Sequence, residues 1–229
     1  FVDVGQGDCT VITTPEGNII IDAGLYDEVE RTVSYIDSIG VNDFKYAIFT
    51  HPHSDHIGGA GTIISNYNVD TVILPNVVST YTPFEKMLEA IEKKDCNVLE
   101  GKAGVALELG KVRIDLLAPV YEYEDINNMS IATKITYGEV SFLFTGDAEE
   151  ISELAMLERD EKILDSTILK VGHHGSSSSS CYDFIKAVSP EVAVYSCGIN
   201  NEYGHPHGQV IKRINNIGAL SYRTDKQGS

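Results

Sequence analysis

Apolar and polar positions along the chain follow two alternating periods. Short apolar or alternating runs at Phe1–Val4, Thr10–Thr14 and Asn18–Asp22 predict strands, with Pro15-Glu16-Gly17 turning the second into the third. Glu28–Ile39 sets Val29, Val33, Ile36 and Ile39 at helical spacing, and Gly40 stops the run. Tyr46–Phe49 and Asp70–Leu74 predict further strands. Thr82–Lys94 predicts a helix with Pro83 in its first turn, where a missing N–H is tolerated. The second half repeats the style. Val112–Leu117, Ala132–Tyr137 and Val140–Thr145 predict strands, the last two joined at Gly138–Glu139, and Glu149–Leu157 predicts a helix. Thr167–Val171, Val192–Ser196 and Leu220–Arg223 predict strands, with helices over Tyr182–Val188 and His207–Asn216 between them.

That is too many strands for one simple βαβ sheet. Two packed sheets with helices on both outer faces would bury these runs, which makes the chain α/β. No linker of biased composition divides it, so residues 1–229 read as a single domain. The chain opens at Phe1 inside an apparent strand and closes at Gly228–Ser229 just after another, and so reads as a fragment of a longer protein. No apolar run reaches the ~18 residues of a membrane helix, so direct insertion of this segment is not expected.

Composition narrows the function classes. With 42% hydrophobic and 22% charged residues, disorder, collagen and coiled coil are excluded. There are 34 Asp+Glu against 17 Lys+Arg, a formal net charge of −17. A field of that sign repels nucleic-acid backbones and anionic membranes, and disfavours a tight sequence-reading DNA binder. It leaves room for a small or weakly held anionic substrate, because bound divalent cations reverse the local sign. The four cysteines, Cys9, Cys96, Cys181 and Cys197, form no C-x-x-C pair and are too sparse for a disulfide framework.

All seven histidines fall in three short segments: His51, His53 and His56; His173 and His174; His205 and His207. Histidines with general structural roles would scatter. In His51-Pro52-His53-Ser54-Asp55-His56, directly after a strand, His51 and His53 can converge on one cation while Asp55 and His56 serve a second. Gly58-Gly59 lets a helix start close behind. Thr145-Gly146-Asp147 follows another strand, and its carboxylate can bridge two cations. Gly172-His173-His174-Gly175 suits one ligand plus one supporting or proton-donating imidazole, the choice between them left open. Tyr203-Gly204-His205-Pro206-His207 reads as a rim turn.

His51 to Gly59 resembles the signature of the metallo-β-lactamase fold superfamily. Phe1 to Asp8, Leu169 to Ser176, Tyr203 to Pro206 and Tyr222 to Asp225 are similar to a narrower group within it, the hydrolase domain of bacterial competence DNA-internalisation proteins and its free-standing relatives. The resemblance runs through essentially the whole chain and implies a four-layer αβ/βα sandwich with metals in a groove at one sheet edge. Carried over by position, it implies two divalent ions, zinc or manganese. His51 and His53 would hold one, Asp55 and His56 the other, with Asp147 bridging and one of His173 and His174 completing a shell. Asp22 would support the metal loop from behind. Many members place a further histidine where this chain has Asn127-Asn128-Met129-Ser130, which makes Asn128 a candidate harder ligand and leaves Ser130 beside it. The chemistry implied is hydrolysis of phosphodiester bonds by a metal-bound hydroxide. Asp55, His173 and His205 are the catalytic candidates, and His173 or His205 would protonate the leaving oxygen. Nuclease action on weakly held single-stranded DNA during uptake leads. It would take place on the extracytoplasmic face of a bacterial cell, with membrane-channel domains in a longer parent chain. A surface phosphorylcholine esterase and a non-catalytic metal-stabilised module are the alternatives.

Overall fold

The computed structural model describes residues 1–229. Twelve strands form two sheets. The first takes β1 (Thr10–Thr14), β2 (Gly17–Ile21), β3 (Asp43–Ile48), β4 (Asn68–Leu74) and β5 (Asn97–Glu100), in that order. The β1–β2 pair is an antiparallel hairpin and β2 to β5 run parallel. The second sheet is built from β6 (Ala106–Leu109), β7 (Val112–Leu116), β8 (Thr133–Tyr137), β9 (Val140–Phe144), β10 (Ile168–Lys170), β11 (Val192–Tyr195) and β12 (Leu220–Arg223). Its order is β12-β11-β10-β9-β8-β7-β6, with β6 to β9 antiparallel and β9 to β12 parallel.

Alternation along each strand decides which layer its side chains fill. Ile19 and Ile21 of β2, and Tyr46 and Ile48 of β3, face the second sheet and pack on Leu109, Ile114, Leu116, Ile135 and Phe144. Their neighbours Ile20, Ala47 and Phe49 face the other way. They meet helices α1 (Val29–Ser38), α3 (Ala60–Asn66) and α4 (Thr82–Lys94) through Ile36, Ile63, Ile64, Met87 and Ile91. On the far side Leu143, Leu169 and Ala193 pack under α5 (Glu150–Asp160), α6 (Tyr182–Val188) and α7 (Gly208–Asn216) through Met156, Phe184, Ile185, Val210 and Ile214. Helix, sheet, sheet, helix: the expected αβ/βα sandwich is the observed one. Short helices α2 (Ser54–Ile57) and α8 (Thr224–Gln227) complete it.

Two local expectations change. Phe1–Val4 forms no strand: Val2 and Val4 are buried in the first helix–sheet layer, and the main-chain bond from Val2 N to Cys9 O is not extended into a ladder. The segment is apolar because it is covered. Strands β5 and β6 lie at the ends of their sheets, and their mostly exposed side chains give no apolar run to read.

The carboxyl ends of β2, β3, β9, β10 and β11 come together at one side of the sandwich. Parallel strands deliver their loops to the same end, which puts Asp22, the His51–His56 loop, Asp147, His173, His174 and Ser196 in one neighbourhood.

Candidate metal centre

The loop after β3 is pinned by Asp22. Its Oδ1 accepts from Thr50 N at 2.8 Å, and its Oδ2 accepts from Thr50 Oγ1 at 2.8 Å and from His56 Nδ1 at 2.8 Å. The imidazole of His56 is thereby oriented by its Nδ1–H, leaving Nε2 free to face inward. Gly7 lets the N-terminal segment close over this loop. Its φ is +140°, and a Cβ there would collide with the Asp55 carbonyl oxygen. The close approach brings Asp8 N to 3.1 Å from Asp55 O.

Two ligand groups share one carboxylate. The first gathers Asp55, His56, Asp147 and His174, and the second His51, His53 and Asp147. In the first, Asp147 Oδ1 lies 3.2 Å from His56 Nε2 and 3.6 Å from His174 Nε2. Asp55 Oδ2 lies 3.2 Å from His174 Nε2 and 4.0 Å from His56 Nε2. Four ligands ~2.1 Å from a common centre stand ~3.4 Å apart in a tetrahedron, which these separations bracket. His56 Nε2, His174 Nε2 and Asp147 Oδ1 are buried and make no hydrogen bond. Buried polar atoms left unpaired are costly, and a cation among them removes that cost. In the second group Asp147 turns its other oxygen, Oδ2, to His51 Nε2 at 3.8 Å, and His53 Nδ1 lies 3.0 Å from His51 Nε2. The donor set of imidazole and carboxylate fits zinc or manganese at both places.

The two adjacent histidines separate. His174 Nδ1–H donates to Ser196 O at 2.9 Å and directs Nε2 into the first group. His173 points elsewhere: its Nε2 is 3.5 Å from Asp147 Oδ2 and its Nδ1 is 3.5 Å from Glu149 Oε1, outside either ligand group. The separation is made by the backbone, because both residues are left-handed, His173 at φ 48° and His174 at φ 54°. That conformation costs a non-glycine residue ~1–2 kcal/mol. Main-chain bonds from His173 N to Gly146 O and from Ser176 N to His173 O hold it.

Electrostatics follow from this crowding. Burial works against charge on His56, yet Asp147, Asp22 and Asp55 hold its pKa well above the ordinary histidine range. Burial likewise opposes charge on His174, but Asp147, Asp8 and Asp55 raise it to about 9. His51 goes the other way, held well below by burial and by neighbouring His56. Burial would raise Asp147, but His56, His174 and His51 keep it well below the usual carboxylate range. The pocket attracts positive charge, which is what a cation site requires.

Behind the ligands stand Asp8 and Lys170, which the sequence reading did not single out as site residues, and Ser130, which it did. Asp8 pairs with the buried Lys170 of β10 and reaches His174 Nδ1 at 3.2 Å. Burial would raise its pKa, but Lys170, His174 and His56 bring it to about 2. A lysine within the apolar run Ile168–Val171 was the available signal. Ser130 Oγ accepts from Asp147 N at 3.1 Å and lies 3.3 Å from His51 Nδ1, so it braces the second group without joining it.

Asn128 is used differently from a ligand. Its Oδ1 accepts from Glu149 N at 3.0 Å, tying the 126–129 turn to the start of α5. Asn128→Ala is therefore expected to cost about 1–3 kcal/mol of stability, the penalty of a stranded main-chain donor. Metal affinity should change less than tenfold. Denaturant unfolding and calorimetric metal titration read the two effects separately, and a large loss of affinity with stability intact would make Asn128 a ligand.

His205 is 9% exposed, more enclosed than a rim residue. Its ring lies 5.7 Å from that of His173, 6.2 Å from His174 and 5.5 Å from Tyr203, and its Nδ1 is buried without a partner. Burial, then His174, His173 and His207, push its pKa down to about 4.

The sequence profile described as Metallo-beta-lactamase superfamily matches residues 2–199. ComE operon protein 3 of Bacillus subtilis (strain 168) is 28% identical over 248 aligned residues, taking in 100% of this chain and 32% of that protein. Competence protein ComA of Neisseria gonorrhoeae is 28% identical over 229 residues, 99% of this chain and 31% of that one. The chain thus spans about a third of the length of these curated relatives. The solved metallo-beta-lactamase fold protein YhfI from Bacillus subtilis aligns at TM-score 0.63 and 12% identity, over 97% of this chain and 94% of that chain, a likeness of fold alone.

Proposed function

The chain belongs to the metallo-beta-lactamase superfamily, and from that premise we propose that it is a two-metal phosphodiesterase acting on nucleic-acid strands. Superfamily members are generally metal-dependent hydrolases, and this chain's ligand groups fit that role. The observation that carries the reading is Asp147, whose two carboxylate oxygens face different ligand groups, so that one side chain would serve two cations. Paired cations suit in-line displacement at phosphorus, where they polarise the phosphoryl oxygens and acidify a water.

The chain's own residues supply the rest. His51, His53, Asp55, His56, Asp147 and His174 would hold the ions. Asp22 and Ser196 fix the His56 and His174 rings through their Nδ1–H groups. His205, neutral near pH 7, and His173 pack beside the ligands, where an imidazole N–H can donate a hydrogen bond to the negative charge developing on the leaving oxygen. The competence-named relatives support DNA uptake as the setting and, with it, nucleic acid as the substrate; membrane-channel domains as partners in a longer chain and action on the extracytoplasmic face are part of the proposal. No helix of this chain is long and apolar enough to cross a membrane.

The test is turnover of bis-p-nitrophenyl phosphate with added manganese or zinc, alongside elemental analysis. Turnover should require metal, stop with chelator and return on re-addition. Full metal content with no turnover of this diester or of a single-stranded oligonucleotide would reject catalysis and leave the non-catalytic module.

A further inference from the structure

The rim around the metal centre has an unusual composition. Residues 50–62, 75–83, 120–132, 145–150, 171–180 and 196–208 carry no Lys or Arg at all. They carry Asp55, Glu122, Glu124, Asp125, Asp147, Glu149, Glu150 and Glu202, and also Tyr81, Tyr121, Tyr123 and Tyr203. Lys170 beside them is buried against Asp8, so a rim of these segments cannot grip the phosphates of a strand in the usual way.

Its aromatic rings are ordered in space. Tyr81 lies 6.3 Å from His53, which is 4.7 Å from His51, which is 4.2 Å from His56. His56 is 5.2 Å from His174, His174 is 6.2 Å from His205, and His205 is 5.5 Å from Tyr203, stacked at 21°. A succession of neighbouring rings therefore links the two ligand groups, with Tyr81 beside His53 of one and Tyr203 beside His205, which packs on His174 of the other. Those two end rings are open to solvent, Tyr81 at 49% exposure and Tyr203 at 58%. The hydrogen bonds of Tyr81 and Tyr203 to other elements run through the main chain, from Tyr81 N to Ser79 Oγ and from His207 Nε2 to Tyr203 O, and the Tyr203 phenol has the adjacent Glu202 carboxylate beside it.

We propose that Tyr81 and Tyr203 are stacking platforms for the unpaired bases on either side of the scissile phosphate of a single-stranded nucleic acid. The proposal rests on the phosphodiesterase reading above and gives it a means of holding its substrate. Base–aromatic stacking is indifferent to charge, so it works beside the acidic rim. It also selects against duplex, whose bases are already stacked on one another.

The experiment compares a fluorescein-labelled oligothymidylate with an abasic strand of equal length, both phosphorothioate-linked to resist cleavage, by fluorescence anisotropy with the metal-loaded protein. The base-bearing strand should bind more tightly, with a salt slope near ~0.7, the value for one phosphate contact on a single strand. Tyr81→Ala and Tyr203→Ala should each weaken that strand by roughly 5- to 150-fold and collapse the preference over the abasic one. Tyr81→Phe and Tyr203→Phe should retain it. Tyr137→Ala, an exposed tyrosine on the β8–β9 hairpin, should leave the preference alone. Equal binding of the two strands, or alanine variants within twofold of the parent, overturns the proposal. So does displacement of the oligonucleotide by phosphocholine at concentrations where inorganic phosphate has no effect, which would assign the tyrosines to a quaternary ammonium. Cleavage of ordinary strands, read in parallel, keeps the two ideas apart. Cleavage without base preference removes the platforms alone, and base preference without cleavage removes the hydrolase alone.

Discussion

Asp147→Asn is expected to lower turnover by about 10⁴-fold or more and to strip the protein of most of its metal. The carboxylate is shared between two ligand groups, one oxygen for each, and its main-chain N–H is held by Ser130 Oγ. An amide keeps the size and the main-chain bond but presents a single neutral oxygen and an N–H pair that repels a cation. Both positions lose a charged ligand at once, and His56 and His174 lose the anion that draws positive charge into the pocket. Elemental analysis and turnover of bis-p-nitrophenyl phosphate check the two halves of the expectation. Retention of two ions per chain would mean that Asp147 does not bridge. Retention of turnover would remove the two-metal reading.

His205→Ala should behave in the opposite way, keeping full metal content while lowering kcat by roughly 10²–10³, the worth of one positioned hydrogen-bond donor to developing charge. The imidazole stands outside both ligand groups, yet it is packed against His173 and His174 with a buried nitrogen that nothing in the chain satisfies. With its pKa pushed down to about 4, it is neutral at pH 7 and acts as an N–H donor to developing negative charge. The loss should therefore shrink for p-nitrophenolate, a leaving group needing little protonation, and be largest for an alkyl diester. A variant that loses metal makes His205 a ligand. One that retains both metal and rate on every diester makes the Gly204-His205-Pro206 turn a structural cap.

How much of this was legible beforehand depended on how each feature marks the sequence. Thr82–Lys94 and Tyr182–Val188 form helices over the predicted residues, because apolar periodicity and a proline or a short polar entry bound them. Strands β1 and β12 also match, the first beside a hairpin turn and the second after Gly218. Burial was misread as pairing at Phe1–Val4, since an apolar segment looks the same whether a sheet or a loop covers it. The histidine clusters were conspicuous because the strand ends concentrate them. The division of labour between His173 and His174 was invisible, being set by backbone torsions that a sequence does not display. Thr50, Lys170 and Ser196 escaped notice for a different reason. Thr50 braces Asp22, Lys170 pairs with Asp8 and Ser196 orients His174, all from behind the ligands, and residues of these types occur everywhere.

The left-handed pair at His173 and His174 has a consequence for how this chain can change. Glycine at His173, whose ring is partly exposed, would relax the backbone at little cost in packing, whereas at His174 it would strand the buried Ser196 carbonyl and the carboxylates of Asp8 and Asp147. Folding by itself therefore favours replacement of His173 alone. A lineage or laboratory library filtered for robustness drifts toward a sturdier protein that has lost that imidazole. Efforts to harden this scaffold against heat must find their gains away from the turn at the end of β10.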